Sequence, residues 1–197
     1  MFATAKLLGD LTVQTERHLQ KSIAEWQLLA PNLLATQPAP NSWSAAQCLE
    51  HLNFYGKFYI PAMQKAIQNA QKQGSKPAEN FKSGWLGRRF SKMMMPGNDG
   101  KVISKMNAPK NAIPSKNPDP VVMLAEFIEQ REHLNRLIIE AADVNLNEVR
   151  VPISIAPWLR LRLGDVLIFM TAHDYRHILQ ADRAILGEKA VPFGFII

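Results

Sequence analysis

Cysteine is almost missing from this 197-residue chain: Cys48 stands alone, so no internal disulfide framework can form. Long apolar runs are missing as well, and no stretch approaches the roughly 18 residues of a membrane span. The opening Met-Phe-Ala-Thr-Ala-Lys-Leu-Leu-Gly-Asp lacks the charged start and apolar core of a secretory signal. These absences lead to the expectation of a cytoplasmic protein with no membrane span. A glycine-rich phosphate loop is absent too, which argues against a nucleotide enzyme. No internal repeat or low-complexity tract divides the chain, so a single domain over 1–197 is expected. Acidic residues are scarce in one place: between Lys82 and Lys116, eight basic residues face Asp99 alone. The net charge of +6 therefore resides in that segment. Nucleic acid is not the expected partner, because basic and aromatic residues interleave only around 85–92.

What is present is apolar residue, 47% of the chain, set largely at helical spacing. A first helix is predicted from residue 2 to about 30 on the stripe Leu8, Leu11, Thr15, Leu19, Ile23 and Trp26, with Pro31 as its stop. His18 falls at the edge of that stripe and reads as a partly buried polar residue. Ser44 and Gln47 have capping-box spacing for a second helix, and Trp43 can staple back against Cys48. That helix should run to about Gln73, with Pro61 kinking or splitting it. Asp119-Pro120 opens a third helix as N-cap and first-turn proline. Val149 to Leu163 allows a short hairpin at an edge, since it carries two prolines. A fourth helix opens at Gly164-Asp165. Residues 74–117 are the least regular part. Within them, Trp85, Leu86, Phe90 and Met93-Met94-Met95 alternate with Arg88, Arg89 and Lys92, as a lid packed over the helices would. A face for an anionic ligand or membrane surface is the alternative.

The chemistry concentrates in His173-Asp-Tyr-Arg-His177. Two histidines four apart on a helix sit one turn above each other, about 5–6 Å between Cβ atoms, and can reach one metal ion. Both lie in the apolar stripe Val166, Met170, His173, His177, Ala181, so they face the core. Buried imidazoles need partners. Either each bonds to a neighbouring helix, or together they hold a metal. His51, on the semi-buried side of the second helix, is a candidate third ligand; taken alone, such a residue is more often an ordinary core-edge histidine. Gln47 and Tyr55 lie one turn either side of His51, and Gln180 follows His177 on the same face. All three are candidates for hydrogen bonds to the histidines or for lining the pocket. Arg131 lies on the apolar face of the third helix, to pair with a carboxylate or bind an acidic group of a substrate. An HExxH protease is disfavoured, because Asp174 stands where the glutamate base belongs.

Trp43-Ser44 leading into Leu49-Glu50-His51-Leu52, Leu163-Gly164-Asp165, and His173-Asp-Tyr-Arg-His177 with Gln180-Ala181 come in a distinctive order. So does Lys105-Met-Asn-Ala-Pro-Lys110. In these features the chain resembles the DinB-like family, a four-helix-bundle superfamily related to YfiT-type metal-dependent hydrolases. The resemblance spans nearly the whole chain. It implies an all-α, up-down-down-up four-helix bundle, with a long irregular crossover between helices two and three. It also implies a divalent metal held by His51, His173 and His177. Zinc and nickel both suit imidazole ligands. Relatives include thiol-dependent S-transferases as well as hydrolases, so a small-molecule substrate and a low-molecular-weight thiol cofactor are implied. The substrate and catalytic residues stay open, as does a homodimer. The alternative is a non-catalytic bundle that binds a metal, or an anion through the basic 82–116 segment.

Overall fold

The computed structural model describes residues 1–95, 97 and 107–196. Four long helices form a bundle: α1 (Thr4–Ala24), α3 (Ala45–Lys72), α5 (Pro120–Glu140) and α6 (Leu163–Leu186). Shorter pieces are α2 (Pro31–Ala35) and α4 (Trp85–Met94), with strands β1 (Phe2–Ala3), β2 (Asn80–Phe81), β3 (Arg150–Ile153) and β4 (Ala156–Arg162). β1 pairs antiparallel with β2, and β3 with β4 as the expected hairpin.

Helix directions follow from which ends meet. Thr4 at the start of α1 bonds to Ala78 and Glu79 just beyond the end of α3, so these two run oppositely. Lys21 and Trp26 at the far end of α1 bond to Asp182 late in α6, so α1 and α6 run together. Asn53 donates to the Met123 carbonyl near the start of α5, and Asn145 beyond its end donates to Ser75, so α3 and α5 are parallel. The order is up, down, down, up, as expected. Two consecutive parallel helices cannot be joined by a tight turn. With 28 residues in α3, the return path is about 42 Å, and the crossover holds β2, α4 and a short 3-10 turn at Lys110–Ala112.

Both predicted N-caps are present. Ser44 accepts from the Gln47 amide while the Gln47 side chain accepts from Ser44, and Asp119 accepts from Val121 and Val122. The expectation at Pro31 needs correction, as does a split of the helix at Pro61. α1 ends at Ala24, and Pro31 opens α2 rather than ending a helix; at the first helical position proline lacks only a donor that would go unpaired anyway. α3 runs unbroken through Pro61, which is solvent-exposed, so water can reach the carbonyl the ring leaves without a donor. His18 also differs from expectation: it is wholly buried and takes a hydrogen bond from Gln14.

The crossover is pinned to the first turn of α6. Ser83 and the Gly84 amide donate to the buried Asp165 carboxylate. Gly87 passes so close that a Cβ there would lie 2.2 Å from Asp165 Cγ. This holds α4 against α6 and brings Met94 to the functional cavity. Lys101, Lys105 and Met106 lie outside the described residues.

Candidate metal centre

His51 comes from the second turn of α3, and His173 and His177 from successive turns of antiparallel α6. Their rings meet in a tight triangle, with centroids 5.1 Å apart for His51–His173 and 4.7 Å for each of the other two pairs. One nitrogen from each ring lies within 4.8 Å of the others. Among the described residues, this is the cluster of histidine, cysteine or carboxylate groups with metal-holding geometry.

Two of the three tautomers are fixed from behind. His51 Nδ1 is 2.7 Å from the Ala112 carbonyl, which can only accept, so Nδ1 carries the proton and Nε2 turns a lone pair inward. His177 Nδ1 donates to Gln180 Oε1 at 2.9 Å, with the same consequence. His173 Nε2 lies 3.2 Å from His51 Nε2, while its buried Nδ1 has no partner. Burial holds all three imidazoles below the ordinary histidine range, so they are neutral at pH 7. Converging neutral nitrogens in an apolar setting form a donor set for a borderline-soft divalent cation. The residues fit such an ion.

The triad opens on a cavity of about 750 Å³. Trp43 packs on His51 and His177 at 5.0 and 5.9 Å, and Tyr55 meets His173 edge-on at 4.6 Å. Met94 from α4, Asn107 and Pro109 from the crossover, and Arg176 from α6 complete much of the wall. Trp43 thus belongs to the site as well as to the apolar cluster around Cys48, the role its staple position suggested. Arg176 lay unread inside the histidine motif. The Ala112 carbonyl is a backbone atom, which residue type does not betray.

The other sequence candidates divide. Gln180 and Tyr55 touch the triad. Gln47 is occupied elsewhere: beyond the capping box, its amide donates to the carbonyls of Ser115 and Lys116, anchoring the crossover beside the site. Arg131 does not line the cavity. It is fully buried against Asp174, with Gln130 as a further acceptor and Phe127 beneath its guanidinium. Asp174 is thereby engaged with Arg131, and among the described residues no carboxylate lines the cavity beside the histidines. Cys48 is completely buried, and burial pushes its thiol well above the ordinary range, so it is inert.

Histidine burial has a consequence for stability. Burial, with the nearby Arg131 charge, pushes His18 down to about 3. The unfolded chain therefore takes up a proton near pH 6.5 that the folded chain refuses, and stability falls as pH drops below that value. Between pH 7 and 5 the His18 contribution is about 2 kcal/mol. In urea titrations of metal-free protein, His18→Phe is expected to flatten the decline by about that much.

The chain matches none of the curated proteins. Among solved structures it is similar to YfiT from Bacillus subtilis, described as a probable metal-dependent hydrolase with an unusual four-helix bundle topology. Identity is 13%, coverage is 92% of this chain and 85% of that one, and the TM-score is 0.49. The model of the DinB superfamily matches residues 14–181, most of the chain. The chain belongs to the DinB superfamily. All three clustered histidines fall inside the matched range, as do Trp43, Tyr55 and Gln180.

Proposed function

We propose that this DinB-superfamily protein is a metal-dependent enzyme, with His51, His173 and His177 holding one divalent ion, zinc or nickel, and acting on a small molecule by thiol transfer or hydrolysis. The observation that carries the reading is the meeting of three neutral imidazoles, two of them with the tautomer fixed from behind, at the wall of an open cavity. Three protein ligands with an open side is the arrangement of catalytic sites, since structural sites close the fourth position with a protein ligand. Bound there, the ion supplies Lewis acidity and lowers the pKa of a thiol or water.

The chain's own groups do the rest. Ala112 and Gln180 orient His51 and His177. Trp43 packs on His51 and His177, and Phe169 stacks on the face of His173 at 5.6 Å, so these rings hold the imidazoles in place. Burial pushes the Tyr55 phenol up to about 12, so its hydroxyl stays protonated and donates to a bound acceptor. Arg176 lines the cavity and donates to the Met93 carbonyl, which ties α6 to the end of α4 at the cavity wall.

Gln180→Ala removes the acceptor behind His177, and such partners are typically worth ~10–100-fold in metal affinity. Competition with a chromophoric chelator should show a loss of that size, largely restored by Gln180→Glu. The function is tested by offering zinc- or nickel-loaded protein a panel of thiols with an alkyl halide, and a panel of activated esters. Turnover that disappears in His51→Ala, His173→Ala and His177→Ala supports the reading. Full metal affinity in all three variants overturns it.

A further inference from the structure

Behind Tyr55 the main cavity adjoins a second, smaller one of about 120 Å³. The two share Tyr55, Met94, Asn107 and Pro109 in their walls. The inner chamber lies between α3, α4, α6 and the β3–β4 hairpin. Its wall is largely Tyr55, Tyr59, Phe90, Ile153, Val166 and Phe169. Tyr59 and Ser154 on this wall are engaged with each other, since Tyr59 Oη accepts from the Ser154 amide and lies 3.5 Å from Ser154 Oγ; Tyr55 and Asn107, its other polar residues, also line the main cavity. Water finds few partners against such walls, even though Ile155 on them is exposed to solvent, and enclosed apolar cavities of roughly 150 Å³ take up benzene.

The position of the chamber gives it a use. Tyr55 and Phe169 both pack against His173, at 4.6 and 5.6 Å, and both line the chamber. A molecule whose polar head reaches the histidine triad therefore has its next few atoms directed past these rings. We infer that the chamber is the specificity pocket for an apolar substituent, an aryl ring or a branched alkyl group, borne by the substrate next to its reacting head. This rests on the metal-site reading for the head alone. The chamber's preference for the tail stands on its own walls. The substrate class is then a small amphiphile, with a polar or thiol head at the histidines and a compact hydrophobic tail.

Two arms test this separately. In metal-free full-length protein, saturation-transfer NMR with toluene reads the chamber without any head group. Binding is expected, with loss in Val166→Phe, which fills the chamber from α6. Ser154→Phe fills it from the hairpin and serves if Val166→Phe does not fold. In zinc-loaded protein, benzohydroxamate is expected to bind about 10–100-fold more tightly than acetohydroxamate. Ser154→Phe should bring that ratio close to one without changing acetohydroxamate affinity. If zinc does not bind, the triad reading fails and the toluene arm alone decides the chamber. No toluene binding to the parent protein, or toluene binding unaffected in both filled variants, overturns the inference.

Discussion

His173→Ala is expected to lower zinc affinity by at least about 100-fold while leaving the metal-free fold nearly as stable as the parent. Four-ligand zinc sites have apparent binding energies of about 10–16 kcal/mol, or roughly 3 kcal/mol per ligand, and 1.4 kcal/mol is tenfold. Fold stability should respond far less. The His173 ring borders an open cavity, so truncation enlarges existing space and seals no new void. The variant also removes a buried nitrogen that has no hydrogen-bond partner. Chelator competition reads the first quantity and thermal melting of metal-free protein the second. A comparable collapse of both would mark His173 as a packing residue.

Arg131→Met is expected to do the opposite, removing about 3–5 kcal/mol of stability at neutral pH. Arg131 and Asp174 are both fully buried. Burial pushes the Asp174 carboxyl up and the guanidinium beside it pulls it back. Removing the cation strands a carboxylate that already has one oxygen unpaired. Domains of this kind are stable by only about 5–15 kcal/mol, so the loss is large. A double variant, Arg131→Met with Asp174→Leu, should recover most of it, because the strain comes from the stranded charge. Urea unfolding of the three proteins measures the effect. Equal destabilisation in the single and double variants would show that the ion pair is not its source.

These two variants mark where sequence was and was not enough. The His173–His177 spacing on an apolar stripe located half of the site, because helical period alone puts i and i+4 on one face. The caps at Ser44 and Asp119 were legible because they depend on contacts within four residues. Arg131 was legible as buried, but not its partner: pairing with Asp174 depends on how α5 and α6 pack, 43 residues apart. His18 looked like an edge residue, since its stripe does not reveal Tyr175 and Phe193 closing over it from the other end of the chain. Pro31, and Pro61 read as a helix splitter, misled for a related reason. A proline's effect on a helix depends on its place within the turn and on solvent access, which the residue type leaves open. The Ala112 carbonyl behind His51 was invisible, being a main-chain atom delivered by an irregular crossover.

The most direct test is the metal content of protein purified without a histidine tag, measured by elemental analysis beside His51→Ala and His173→Ala. About one equivalent of zinc or nickel in the parent, and little in either variant, is the expected result. Parent protein that stays metal-free after incubation with both ions, while folded, would contradict the account and leave the three histidines as a structural cluster.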